Sequence, residues 1–150
     1  MLLEFKTKNY KSFVEEASFS MVAAPKQKGL DYSLMKTKIK GKEIKGLSSS
    51  VIYGPNAAGK TNIIGAMDVL RAIVLRGNIR NSEEKSSPNP AAAALELIPN
   101  NNEMESKPVC FEIEFYEEDG EDYKFKIHYE LEVDLGTFLE EEHQRKILAE

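Results

Sequence analysis

The stretch Gly54-Pro55-Asn56-Ala57-Ala58-Gly59-Lys60-Thr61 decides how this chain folds and what it binds. It satisfies the phosphate-binding pattern G-x-x-x-x-G-K-[S/T] at all four fixed positions. With glycine near 7% of ordinary sequence, chance produces this pattern in only about one 150-residue chain in 200. We therefore interpret the stretch as a nucleotide-binding loop. The alternative is a glycine-rich turn that opens a helix by accident.

The flanks of the loop have the order that such a loop requires, which is strand, loop, helix. Ser50 to Tyr53 form a short, β-favouring run directly before it, and they predict a strand. After Lys60, glycine at position 77 predicts the end of a helix, because glycine is a common C-cap. The apolar positions of this helix recur at the spacing of one buried face, and they are Ile63, Ile64, Met67, Leu70, Ile73 and Val74.

Each fixed position of the loop has a chemical role. Gly54 and Gly59 lack a Cβ, so the backbone can approach a phosphate closely. Backbone N–H groups of the loop and the N-terminus of the helix attract an anion without a cluster of basic side chains. Lys60 is expected to reach the β- and γ-phosphates, and the Thr61 hydroxyl to ligate Mg²⁺.

Charge is distributed unevenly along the chain, whose formal net charge is −5. Residues 1–50 carry ten lysines against five acidic residues, and residues 101–150 carry five basic against sixteen acidic residues. The basic part is compatible with a nucleotide or nucleic-acid partner, or it simply solvates strand faces. The sequence has no run of 18 apolar residues and no signal peptide, so we expect a soluble, cytoplasmic protein without a membrane partner.

Alternating apolar residues and turn signals predict a mixed α/β chain with several strands. Strands are predicted over residues 2–8 and 17–22, and a lysine-rich hairpin over residues 35–44. The predicted organisation begins with a β-subdomain over 1–48, followed by a strand, loop and helix over 49–77. A polar loop or insertion over 78–108 comes next and includes a short helix over 91–98. A β-hairpin over 109–134 and a helix over 135–150 complete the prediction.

Position in the chain separates the subclasses of phosphate-loop proteins. GTPases and small-molecule kinases usually begin with the strand that feeds the loop, whereas about fifty β-rich residues precede it here. The GTPase strings Asn-Lys-x-Asp and Asp-x-x-Gly do not occur, and we locate no acceptor site for a kinase. An early β-subdomain ahead of the loop instead looks like that of an ABC-type ATPase head.

Two motifs resemble the SMC/RecF-like ABC ATPases. The run from Phe5 to Phe13 (FKTKNYKSF) resembles their opening strand and turn, F-x-x-x-N-[F/Y]-[K/R]-S-[F/H]. The run from Gly54 to Asn62 (GPNAAGKTN) resembles the GPNxxGKSN loop of prokaryotic relatives, which include RecF, the overcoming-lysogenization-defect nucleases and the abortive-infection AAA proteins.

The resemblance implies a P-loop fold of the ABC-ATPase type, with ATP and Mg²⁺ as ligands. It implies that Asn56, Ala57, Ala58, Gly59, Lys60 and Thr61 enclose the triphosphate. It further implies that Lys11 reaches the nucleotide from the β-subdomain, and Asn62 could bond the loop backbone. The alternatives are a solvated turn lysine at position 11 and an ordinary first-turn helix residue at position 62.

The family's catalytic strings are absent from this sequence. No four apolar residues precede an Asp-Glu pair, no Leu-Ser-Gly-Gly occurs, and neither His128 nor His143 fits a switch histidine. The glutamine that ABC heads place after the main helix to sense Mg²⁺ is also missing, and Leu97-Ile98-Pro99-Asn100 stands there. No catalytic residue is therefore assigned in this chain.

The resemblance implies an N-terminal lobe whose C-terminal lobe is missing, so that hydrolysis needs that lobe or a second head as a partner. The implied setting is DNA maintenance or antiphage defence, with DNA as a further partner. A nucleotide-gated interaction module without turnover is the alternative.

Overall fold

The computed structural model describes residues 1–25, 29–39, 41–79, 97–100, 107–119, 123–136 and 145–150. Predictions for the rest of the 78–108 insertion, including most of the short helix expected over 91–98, lie outside these residues. The elements are β1 (Leu2–Lys8), β2 (Ala17–Ser20), a 3-10 turn (Asp31–Ser33), β3 (Leu34–Ile39), β4 (Lys42–Leu47), α1 (Lys60–Arg76), β5 (Val109–Asp119), β6 (Tyr123–Asp134) and β7 (Lys146–Ala149).

Five strands form one antiparallel sheet in the order β2-β1-β5-β6-β7. The alternating residues of β5 and β6 form the long hairpin that the sequence predicts, with Val109 opposite Val133. Strand β1 lies between β2 and β5, so the first residues of the chain form an inner strand of the sheet. Leu3, Phe5 and Thr7 of β1 are buried on the same face.

The core lies between that face of the sheet and α1. Its buried members are Phe5, Tyr10, Ile63, Ala66, Val69, Leu70, Ile73, Ile79, Leu97, Val109, Phe111, Leu131, Val133 and Leu135. The predicted helix face is partly wrong, because Ile64 and Val74 are 53% and 56% exposed while Ala66 and Val69 are buried. The buried arc is turned toward Gly65 and Ala66, where the helix faces the turn after β1: a Cβ on Gly65 would lie 3.7 Å from the Tyr10 hydroxyl, and Ala66 is fully buried.

The predicted end of the helix is confirmed. Gly77 follows Arg76 in the left-handed conformation (φ 65°), and its N–H donates to the carbonyl of Ile73 at 2.9 Å. This is a helix cap that glycine adopts with little strain.

Two sequence predictions need correction. Residues 50–53 form no strand: they pair with no strand of the described residues, and Val51 and Tyr53 are 82% and 90% exposed. A lone extended segment lacks the pairing that defines a sheet. The helix predicted over 135–150 is also wrong at its end, where Lys146–Ala149 form β7 and pair with the outer edge of β6. Residues 137–144 lie outside the described part.

Strands β3 and β4 form the lysine-rich hairpin that the sequence predicts, paired from Leu34 opposite Leu47 to Ile39 opposite Lys42. This hairpin is a separate two-stranded sheet. The buried Thr37 hydroxyl joins it to the larger sheet by donating to Glu118 Oε1 at 2.6 Å. Among the described residues, no helix has the length and apolar character needed to cross a membrane.

Candidate functional site

The glycine-rich loop makes a sharp turn into the N-terminus of α1. Ala57 has φ 63° and Gly59, the N-cap residue, has φ 80°, so two residues of this short loop are left-handed. Residues 54–58 are exposed, and no side chain caps the helix in the described structure. The first N–H groups of a helix have no partner within it. The loop therefore offers backbone donors at an open helix N-terminus, which suits an anion.

Lys60 folds back over this loop. Its ammonium donates to the carbonyl oxygens of Gly54 at 2.8 Å and of Pro55 at 2.6 Å. The positive charge is thus held directly above the loop, in contact with weak backbone acceptors. A phosphate would give it stronger, charge-assisted hydrogen bonds in the same place.

The turn after β1 has an unusual backbone. Asn9 and Lys11 have positive φ values of 53° and 48°. Tyr10, which stands between them in the sequence, is buried. The Tyr10 ring packs against Phe111 with centroids 5.8 Å apart, and the Lys11 ammonium lies 5.5 Å from the Tyr10 centroid. The tyrosine thus fixes this turn to the core and positions the lysine beside it.

The turn and the phosphate loop are in direct contact. Asn62 Nδ2 donates to Ser12 Oγ at 2.7 Å. A Cβ on Gly59 would lie 2.9 Å from Phe13 Cε1 and 3.2 Å from Ser12 Oγ, so only glycine fits there without displacing the turn. The two motifs that the sequence analysis singled out, about forty residues apart, therefore meet at the start of α1.

Lys11 lies on the same side of α1 as this contact. Its Nζ is 3.9 Å from the position that a Cβ on Gly65 would occupy, within two turns of the phosphate loop. Of the residues predicted to bind the nucleotide, the structure brings Lys11, Gly59 and Asn62 together. Thr61 is exposed at the first turn of the helix.

The sequence did not predict the part that the segment 97–100 plays in this site. The segment 97–100 was noted only for its lack of a glutamine, yet it supports the turn after β1. The Asn100 amide donates to the Lys11 carbonyl at 2.6 Å, and the Lys11 N–H donates to the Ile98 carbonyl at 2.9 Å. The only available signal was an amide side chain directly after Pro99.

The polar face of the large sheet has a cluster of charged groups around His128. Its ring nitrogens lie 3.2 Å from Glu114 Oε1 and 2.7 Å from Glu130 Oε1. The hydrogen bond to Glu130, followed by the contacts with the other carboxylates, raises the pKa of His128. Lys126 pairs with Glu114 at 2.8 Å. These paired groups form an ion-pair network on the surface of the β5–β6 hairpin.

A phosphate loop at the N-terminus of a helix, with a lysine over it, defines the class of P-loop nucleotide-binding proteins. Comparison with family models gives the particular family. A model described as "AAA domain, putative AbiEii toxin, Type IV TA system" matches residues 49–147, about two thirds of the chain. The chain belongs to this AAA-domain family, and the match spans the loop, α1 and the β5–β6 hairpin. No curated protein and no solved structure matches it.

Proposed function

We propose that this chain binds Mg-ATP through the loop from Gly54 to Thr61, as part of an ATPase head of the SMC/RecF-like ABC type. The observation that carries the proposal is the docking of the turn after β1 onto the loop, through the Ser12–Asn62 hydrogen bond and the close approach of Phe13 to Gly59. Membership of an AAA-domain family supports nucleotide binding in general. The docked turn favours this subtype, because both of its motifs take part.

The residues of the loop fit a triphosphate with its cation. The uncapped N-terminus of α1 and the exposed loop backbone supply N–H donors, and Lys60 exchanges its contacts with Gly54 and Pro55 for phosphate oxygens. The Thr61 hydroxyl would hold Mg²⁺, and the ion would supply positive charge that offsets the charge of the phosphates. Lys11 would reach the phosphates from the β-subdomain, and Asn62 holds the turn that carries it through its hydrogen bond to Ser12.

Hydrolysis is proposed to depend on groups beyond these 150 residues. The sequence has neither the Asp-Glu pair after an apolar strand nor the Leu-Ser-Gly-Gly signature. A C-terminal lobe or a second head would supply them. The proposed setting is antiphage defence or DNA maintenance in the cytoplasm, and the family description, which names a toxin of a type IV system, favours defence.

The alternative function is a nucleotide-gated interaction module, in which ATP occupancy controls association without turnover. The absence of the Asp-Glu pair and of the Leu-Ser-Gly-Gly signature from this sequence favours the interaction module. Turnover by a complete head would separate the two functions, because the interaction module never hydrolyses ATP.

Calorimetry with Mg-ATP tests the binding site. We expect weak binding by this chain, loss of that binding in Lys60→Ala, and no change in the control Lys146→Ala, which removes an exposed lysine of β7. Phosphate release should be undetectable for all three proteins. Equal binding by Lys60→Ala would refute the proposed site, and ATP turnover that Lys60→Ala abolishes would refute the view that this chain binds without hydrolysing.

A further inference from the structure

The outer face of the β5–β6 hairpin carries four glutamates around one histidine. Three consecutive cross-strand pairs supply them: Cys110 opposite Glu132, Glu112 opposite Glu130, and Glu114 opposite His128. Alternate residues of a strand share a face, so these side chains point away from the core, which the intervening Phe111 and Leu131 enter. We call the group formed by Glu112, Glu114, His128 and Glu130 the His128 cluster.

Fold stability does not account for this concentration of carboxylates. Glu112 lies directly opposite Glu130, and like charges at opposed positions of neighbouring strands are destabilising. Lys6 pairs with Glu112 at 2.8 Å, which offsets part of that repulsion. Among the residues that the structure describes, no lysine or arginine nitrogen lies within 4.0 Å of the Glu130 or Glu132 carboxylate. The face therefore keeps excess negative charge, which attracts a cation.

Three members of the His128 cluster bring metal-ligating atoms close together. Glu112, His128 and Glu130 each place one such atom within 4.8 Å of the other two. Two of them stand two residues apart on β6 and the third faces them from β5, so a pair of hydrogen-bonded strands fixes the spacing of all three. Zinc bonds of about 2.0–2.2 Å put tetrahedral ligand atoms about 3.4 Å apart. Small rotations of these partly exposed side chains bring their donor atoms into that range.

The fourth member, Glu114, is placed to orient the imidazole. Its Oε1 lies 3.2 Å from His128 Nδ1, whereas Glu130 Oε1 lies 2.7 Å from Nε2. A histidine that binds a metal donates its other ring N–H to a carboxylate, which fixes the tautomer and the ring orientation. Glu114 can accept that hydrogen bond, and Lys126 holds Glu114 in turn at 2.8 Å. Nε2 is then the nitrogen left to a metal ion, beside Glu130.

We propose that Glu112, His128 and Glu130 bind a divalent transition-metal ion of the Zn²⁺ class, with Glu114 orienting the imidazole. An imidazole nitrogen suits Zn²⁺, whereas Mg²⁺ and Ca²⁺ take oxygen ligands. Glu112 and Glu130 also line a cavity of about 270 Å³ on the same face, together with Cys110 and Glu132. This space admits the water that completes a site with three protein ligands.

Lys6 competes with the metal ion for Glu112. Its ammonium lies 2.8 Å from Glu112 Oε1 and 3.9 Å from Glu4 Oε2, so it acts as a resident counter-ion of the acidic face. A metal ion that binds Glu112 displaces this contact. The inference does not rest on ATP binding, because none of its ligands belongs to the phosphate loop.

Calorimetry with zinc chloride and no nucleotide tests the proposal. We expect one zinc site that His128→Gln and Glu130→Gln each abolish, because each variant removes a ligand. Glu114→Gln should weaken binding by about 10–100-fold, as the loss of an orienting carboxylate does at other metal sites. The matched control His143→Gln changes the other histidine of the chain and should leave zinc binding unchanged. Magnesium chloride at the same concentration should not compete.

Removal of the competing lysine gives a readout that a merely structural role would not move. Lys6→Gln should tighten zinc binding by about two- to fivefold, because the exposed ion pair with Glu112 no longer has to break. Lys36→Gln makes the same change of charge on the β3–β4 hairpin and should have no effect.

Three results would overturn the proposed metal site. They are the absence of zinc binding, equal losses in His128→Gln and His143→Gln, and equal affinities of Lys6→Gln and Lys36→Gln. Circular dichroism shows whether each variant is folded, and Glu130→Gln keeps the test decisive if His128→Gln is not. Lys60→Ala should bind Zn²⁺ normally, so failure of the phosphate loop and failure of the metal site are distinguishable.

Discussion

Replacing Gly59 by alanine tests how tightly the turn after β1 is docked on the phosphate loop. Two separate costs arise at this position. Its φ of 80° disfavours any residue with a Cβ, and the added methyl would lie 2.9 Å from Phe13 Cε1 and 3.1 Å from Phe13 Cζ. Gly77 offers a control in the same helix, because its φ is 65° and a Cβ there would meet no atom within 4 Å. Gly77→Ala therefore carries the backbone cost alone.

The two variants should differ clearly in stability. A left-handed alanine costs about 1–2 kcal/mol relative to glycine. Overpacking against a ring that is held by the core adds about 1–3 kcal/mol. We expect Gly59→Ala to lower the free energy of unfolding by about 2–5 kcal/mol and Gly77→Ala by about 1–2 kcal/mol. For a chain of this size, each 1 kcal/mol lowers Tm by about 2–4 °C.

Urea unfolding followed by circular dichroism measures both values. The double variant Gly59→Ala with Phe13→Ala should lose less stability than the sum of the two single losses, because Phe13→Ala removes the ring that the added methyl would meet while the backbone strain remains. A coupling free energy of about 1–3 kcal/mol is expected from the double-mutant cycle. If Gly59→Ala costs no more than Gly77→Ala, or if the cycle shows no coupling, Phe13 does not pack on the loop and the basis of the proposed site fails.

Three further predictions concern single interactions. The Ser12–Asn62 hydrogen bond is exposed, so a double-mutant cycle with alanine should give a coupling of about 0.5 kcal/mol, and zero coupling would contradict it. Thr7 is 1% exposed, and its hydroxyl has no hydrogen-bond partner among the described residues. Thr7→Val should therefore raise the free energy of unfolding by about 1 kcal/mol. A decrease would show that the hydroxyl has a hydrogen-bond partner. His128 should titrate by NMR above its ordinary pKa of 6.5, and Glu130→Gln should lower that pKa. The stabilising contribution of His128 is complete below its unfolded pKa and is lost as pH rises through its folded pKa. An unchanged pKa of His128 in Glu130→Gln would contradict the assigned cause.

Local patterns predicted much of the fold. Period-two alternation located the β5–β6 hairpin and the lysine-rich hairpin, and Gly77 marked the end of α1, because each of these signals acts over a few residues. The failures lie where distant segments decide. Lys146–Ala149 become a strand because the edge of β6 is available to them, whereas residues 50–53 pair with no strand of the described residues.

In the candidate site too, the sequence predicted the local features and missed the contacts between distant segments. The motif assigned Lys60 and Thr61 their roles from spacing alone, since a P-loop is a local structure. The support of the turn by Asn100 and Ile98 gave almost no signal, because it joins residues almost ninety positions apart.

The sequence by itself determined that this protein has a phosphate loop at a helix N-terminus and a lysine-rich hairpin before it, because contiguous residues encode both features. Only the tertiary structure decided that the turn at Asn9 to Phe13 packs onto that loop. The reason is steric: the absence of a side chain at Gly59 admits the Phe13 ring, and burial of Tyr10 holds the turn in place. Such complementarity between remote segments exists only once the core has formed.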